Sequence, residues 1–112
     1  MNTADLIART RAYVEASNDH DVERIASMLA EDATYSSSGV GEHNGAAAIL
    51  AMNTTFFDAN PDVHWQPENF RSVGEDGIAF DFVITIGGKP SNGIERVYFR
   101  PDGRIRRVEV ER

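Results

Sequence analysis

The sequence contains no cysteine. This excludes disulfides, thiol nucleophiles and cysteine-held metals. It has no apolar run approaching the roughly 20 residues of a membrane span. Its first residues, MNTADLIARTR, do not form a signal peptide. A cytoplasmic location without membrane contact is the expectation. The chain also lacks a basic excess, with a net charge of −7. Nucleic-acid affinity comes largely from Lys and Arg neutralising phosphates, so nucleic acid is not an expected partner. The late arginines, Arg100, Arg104, Arg106, Arg107 and Arg112, are interleaved with Asp102, Glu109 and Glu111 and read as a solvated strand face. There is no G-x-S-x-G, P-loop or dinucleotide fingerprint, and Gly39–Val40–Gly41 lacks the strand–turn–helix context such motifs need. No cofactor is expected. His20, His43 and His64 have no ligand spacing such as His-x3-His, so no metal is expected either. Internal repeats and low-complexity linkers are absent.

What is present is one domain of 112 residues, 41% hydrophobic and 26% charged, enough for a single core without staples. Asn2 or Thr3 can cap a first helix whose inward face is Leu6, Thr10, Tyr13, Val14 and Ser17. Asn18–Asp19–His20 breaks it. A short second helix follows, with Val22, Ile25, Met28 and Leu29 inward. Ala33–Ser37 reads as a strand and Ser38–Glu42 as a loose segment. Asn44 is positioned to cap a third helix with Ile49, Met52, Asn53, Phe56 and Phe57 inward, ending at Asn60–Pro61. From Val63 the period becomes two. A strand from Val63 and Trp65 carries a possible bulge at Pro67 and resumes through Phe70 and Val73. Gly74–Glu75–Asp76–Gly77 is a hairpin turn. Ile78, Phe80, Phe82, Ile84 and Ile86 then form one strongly apolar strand face. Asn92–Arg100 and Arg104–Glu111 complete a meander. The layout is α+β, three helices with one early strand packed on a mainly antiparallel sheet that encloses a pocket.

Strand parity singles out Glu95, which shares its face with Val97 and Phe99. It is either buried with a raised pKa or paired with Arg106, which by strict alternation shares a face with Val108 and Val110. Tyr13, on the inward face of its helix, is the second candidate. A core tyrosine satisfied by one partner is the alternative reading.

The segments RAYVEASNDHDVERIASMLAEDATYS, NGAAAI, FDFVI and IERVYF resemble the NTF2-like (cystatin-like) superfamily, and within it the ketosteroid isomerases and SnoaL-like polyketide cyclases. The resemblance implies a cone of helices on a curved sheet, and it spans nearly the whole chain. Ketosteroid isomerase pairs an Asp base with an oxyanion hole of a Tyr and a protonated Asp, one of the standard cases of pKa tuning. By motif the resemblance places the tyrosine on Tyr13, the protonated acid on Glu95, one methylene longer, and the base on Ser37. A serine cannot replace that base unaided, and losing a positioned base forfeits roughly 10²–10⁴ in rate. Glu42, His43 and His64 are the alternative bases, with His43 carried as the fourth candidate catalytic residue. The expected ligand contacts are Phe80, Phe82, Ile84, Val97, Phe99, Val108, Asn53 and Met52.

Two functions follow. One is an isomerase, cyclase or dehydratase acting on a small apolar carbonyl compound. The other is a binding module with the same pocket and no turnover. The outer sheet face, with Arg96, Tyr98, Arg100, Arg107 and Trp65, is expected to form a homodimer contact.

Overall fold

The computed structural model describes residues 1–112. The chain runs α1 (Thr3–Asn18), α2 (Val22–Met28), β1 (Leu29–Ser37), β2 (Gly41–Asn44), α3 (Ala46–Ala59), β3 (His64–Val73), β4 (Gly77–Ile86), β5 (Lys89–Phe99) and β6 (Ile105–Glu111). The six strands form one sheet in the order β2-β1-β6-β5-β4-β3. Every pairing is antiparallel except β1 with β6, which is parallel. This is the expected α+β architecture, three helices on a mixed sheet.

α1 begins where it does because Asn2 and Asp5 cap each other. Asn2 Oδ1 accepts from the Asp5 amide at 2.8 Å, and Asp5 Oδ2 accepts from the Asn2 amide at 3.3 Å. Its buried stripe is Leu6, Thr10, Tyr13 and Val14. The Thr10 hydroxyl is satisfied by donating to the Leu6 carbonyl at 2.8 Å. Asp21 caps α2 by accepting from the Arg24 amide at 3.1 Å. Asn18, at the end of α1, binds β3 as a strand would. Its Nδ2 donates to the Trp65 carbonyl at 2.8 Å and its Oδ1 accepts from the Trp65 amide at 2.7 Å.

The segment Ser38–Glu42 is not loose. Ser38–Val40 turns the chain, and Gly41–Asn44 returns along β1, with Ser37 opposite Gly41 and Tyr35 opposite His43. Asn44 therefore ends a strand and does not cap α3. Gly45 occupies the cap at φ 91 with no side-chain cap bond, a backbone state glycine adopts without steric penalty.

Two bulges reset the strand alternation. On β3 the extra residue is not at Pro67, which pairs in register with Phe82 and is tolerated because β3 is an edge strand. It falls between Glu68 and Arg71, where Asn69 takes φ 58. Asp81 holds the bulge, accepting from Asn69 Nδ2 at 3.0 Å and Arg71 Nη2 at 3.2 Å. These donors, Asn69 foremost, keep its carboxyl below the usual range. Phe70 is thereby turned to stack on Phe80, centroids 5.1 Å apart. On β6 the register passes from Phe99 opposite Ile105 to Tyr98 opposite Arg107. Arg106 is the unpaired residue, and it swings outward to Asp76, Nη2 to Oδ2 2.9 Å. The alternative reading, an ion pair with Glu95, does not hold, because the bulge breaks the parity that placed them together.

The core lies between sheet and helices, centred on Ile78, Phe80, Phe82 and Ile84 of β4 with Val97, Val108, Ile25 and Ile49. Fully burying one such side chain contributes about 1.5–3 kcal/mol. Phe82 depends on Gly93 opposite it. A Cβ at Gly93 would overlap the Phe82 ring and lie 2.6 Å from the Glu111 carbonyl oxygen.

Candidate functional site

Register assembles the site on the inner sheet face. Ser37 lies opposite Val110, Val110 opposite Glu95, and Glu95 opposite Phe80. Strands about 4.8 Å apart put Ser37 and Glu95 roughly 10 Å from each other, with Val110 between. The row beside it is Tyr35, Val108, Val97 and Ile78.

A cavity opens above these rows. α1 contributes Tyr13, Val14 and Ser17, and β1 contributes Tyr35 and Ser37. α3 contributes Met52, Asn53, Phe56 and Phe57, with Trp65 beside them. The sheet closes it with Phe80, Ile84, Glu95 and Val110, and Val40 and Arg112 stand at the edge. Its volume is about 40 Å³, well below the roughly 300–1,000 Å³ of preformed small-molecule sites. The interior is thus a narrow slot. Phe56, Phe57 and Trp65 form one aromatic cluster, with centroids 6.1–6.4 Å apart.

Of the site residues singled out in the sequence, Tyr13, Glu95, Ser37, Phe80, Ile84, Asn53 and Met52 line this one cavity. The other expected contacts do not line it. Val97, Phe99 and Val108 are packed solid in the core, at most 2% exposed. Phe82 fills the space left by Gly93. His43 lies outside, on a groove along the outer side of α3 beside Ala48 and Ala51. Its Nε2 is 2.9 Å from the Val40 carbonyl. A carbonyl only accepts, so that nitrogen carries the proton. Glu42 and His64 are exposed and also outside. Trp65, expected on the outer face, is drawn inward by its pairing opposite Ile84 and by the Asn18 clamp. Tyr35 was not expected in the site, although it shares the strand face of Ser37. Val40, Met52 and Phe56 line both the cavity and the outer groove, so the wall between them is one side chain thick.

Glu95 is 6% exposed and Tyr13 4%. Neither side chain is engaged in a hydrogen bond or ion pair within the protein. Burial alone pushes the Glu95 carboxyl up to about 8, so it is predominantly protonated at neutral pH. Burial also raises the Tyr13 phenol, and negative charge on Glu95 or Tyr35 raises it further. Tyr35 is raised by burial and then by Glu95, partly offset by Arg112 and by the adjacent Ser37 hydroxyl. The cavity therefore presents O–H donors converging in an apolar slot. Glu95 is its one carboxylate, and no imidazole lines it.

The SnoaL-like domain family matches residues 10–108. The chain belongs to the SnoaL-like family. Its NTF2-like fold is shared with solved structures at low identity. One is a cystatin-fold protein of Novosphingobium aromaticivorans, 20% identical over 100% of this chain and 99% of that one, with a TM-score of 0.85. Another is a candidate polyketide cyclase of Sinorhizobium meliloti, 23% identical over 98% and 99%, with a TM-score of 0.83. A third is a candidate SnoaL-like isomerase of Agrobacterium tumefaciens, 17% identical over 96% and 97%, with a TM-score of 0.80. No curated protein sequence matches the chain. SnoaL-like proteins share the fold while differing in reaction, so the chemistry rests on the site.

Proposed function

We propose that this SnoaL-like protein binds a small apolar carbonyl or phenolic compound in the slot, with the ligand oxygen held by Tyr13 and Glu95. The observation that carries this reading is that Glu95 and Tyr13, both buried residues, line one cavity without a hydrogen-bond partner in the protein, and burial pushes the carboxyl up to about 8, which lets it donate. Donors fixed in a water-poor site stabilise charge developing on a carbonyl oxygen. Tyr35 supports them from β1. If the protein turns its ligand over, the reaction is an isomerisation, cyclisation or dehydration in which Glu95 gives or returns a proton. Ser37 takes no proton from carbon, because nothing basic adjoins it. The cyclase and isomerase names of two structural relatives agree with this class. Binding without turnover is the second reading, and it is favoured by the lack of any carboxylate or imidazole in the cavity besides Glu95. We also assign the outer sheet face to a second copy of the chain. There Arg96 meets Glu111 at 3.2 Å and Arg107 meets Glu109 at 2.7 Å, so both signs of charge are available for self-association.

The test is titration with 1-tetralone, an apolar ring ketone. Tyr13→Phe weakens binding by a few-fold to about tenfold, the worth of one hydrogen bond. Wild-type affinity falls as pH rises through about 8, because Glu95 loses its donated proton. In Glu95→Gln, which keeps a donor that cannot ionise, that fall disappears. Unchanged affinity in Tyr13→Phe together with a pH-independent wild type removes the assignment. Following 1-tetralone α-proton exchange in deuterated buffer separates turnover from simple binding.

A further inference from the structure

Asn53 occupies a place where the fold asks for an apolar residue. On α3 it lies four residues from both Ile49 and Phe57, and all three are buried in one stripe facing the sheet. Asn53 is 8% exposed, and its Nδ2 is the one fully enclosed side-chain nitrogen or oxygen without a hydrogen-bond partner, whereas the unpaired oxygens of Glu95 and Tyr13 retain accessible surface. Apart from Glu95 and Tyr13, the other polar side chains near the core are satisfied. Thr10 donates to Leu6, Asn60 Nδ2 donates to the Phe56 carbonyl at 2.9 Å, and Asn18 uses both ends of its amide. Asn53 lines the cavity beside Met52, Phe56 and Phe57, none of which offers a side-chain oxygen or nitrogen to accept from it. A buried donor without a partner is costly and uncommon in native proteins, and each instance calls for a reason.

We infer that Asn53 is a second recognition point of the slot, donating to an oxygen of the ligand other than the one held by Tyr13 and Glu95. This rests on reading the cavity as a carbonyl site, and it narrows the ligand class. Tyr13, Glu95 and Asn53 come from α1, β5 and α3, so donors reach the slot from three different elements. All three are uncharged when they donate. The matching ligand is an apolar skeleton bearing two uncharged acceptor oxygens at separate positions, such as a diketone, a quinone or a ketone with a ring ether.

The experiment compares three bicyclic probes of similar size by calorimetric titration. 1-Tetralone carries one oxygen, while 4-chromanone and 1,4-naphthoquinone carry a second one opposite the first. Wild type is expected to bind at least one two-oxygen probe about three- to tenfold more tightly than 1-tetralone, the worth of one added hydrogen bond. Asn53→Leu, which keeps the branched shape, abolishes that preference, so that the two-oxygen probes bind no more tightly than 1-tetralone. Asn53→Ala serves as the second variant. The ligand-free Asn53→Leu protein melts no lower than wild type, because an unsatisfied donor has been removed. No preference in wild type, or a preference that survives in both variants, overturns the inference. Tyr13→Phe keeps the two readings apart. If it changes no affinity while Asn53→Leu still erases the preference, the carbonyl site of Tyr13 and Glu95 falls and the Asn53 assignment stands.

Discussion

At the scale of single residues, Glu95 governs how the protein responds to pH. Its carboxyl titrates at about 8 in the folded chain against 4.5 when unperturbed. The folded state therefore favours the protonated form. The contribution is fully present below pH 4.5 and is lost as pH rises through 8, at about 1.4 kcal/mol per pH unit within that window. Glu95→Gln should flatten this dependence, so that its stability relative to wild type rises between pH 5 and pH 8. Urea melts at the two pH values measure the difference, and parallel curves for both proteins would place the Glu95 carboxyl in water. Much at this scale was legible in the sequence. Glu95 sits at the end of an apolar alternation and Tyr13 on a helical stripe, and both patterns survive folding. Tyr35 carried the same signal, two residues before Ser37 on one strand face, but its neighbours Thr34 and Ser36 made the strand look polar on both sides. Asn53 could be placed inward from its spacing. That its amide lacks a partner depends on what surrounds it in three dimensions, which no spacing encodes.

At the scale of elements, alternation was a sound guide until a strand gained a residue. Arg106 shows the limit. A period of two assigns it to the inner face, and one unpaired position sends it out to Asp76. Asn69 does the same for β3 and aims Phe70 at Phe80. β2 escaped notice because four residues, Gly41–Asn44, are too few to show a period. The cross-strand partnership of Gly93 and Phe82 is another feature of pairing, visible only once register is known. Gly93→Val should destabilise the fold by about 1–3 kcal/mol through overpacking, read as a lower urea midpoint with unchanged slope. A neutral result would mean that Phe82 has room to move. Asn18 joins α1 to β3 by two hydrogen bonds to one backbone residue. Asn18→Ala leaves the Trp65 amide and carbonyl without these partners and should cost about 1–3 kcal/mol. It should also speed hydrogen exchange at the Trp65 amide. Slow exchange there in the variant would assign the anchoring of Trp65 to its aromatic neighbours, Phe56 and Phe57.

At the scale of the whole molecule, the sheet presents one face to the helices and leaves the other uncovered. The uncovered face carries Arg96, Tyr98, Arg107, Glu109 and Glu111 in alternation with the inward residues. If two copies meet there, light scattering at micromolar concentration gives twice the 12.4 kDa chain mass, and Arg107→Glu shifts the population toward monomer by placing like charges beside Glu109. A monomeric wild type at that concentration would leave the face to solvent. The helix-then-meander order was readable from the change in period near Val63. The neighbour of the final strand was not, because a parallel pairing between β1 and β6 joins residues about 70 positions apart.

That pairing fixes the order in which the molecule can be completed. Synthesis delivers β6 after every other strand, yet β6 belongs in the middle of the sheet, between β1 and β5. Before it arrives, the β1–β2 hairpin and the β3–β4–β5 meander have no strand in common. The distant contact that unites them carries the loop-closure cost of about two thirds of the chain and is slow by nature. Ser37 and Tyr35 stand on one side of this seam and Glu95 on the other, with Val110 as the stitch between Ser37 and Glu95. The slot is therefore complete only once β6 lies between β1 and β5.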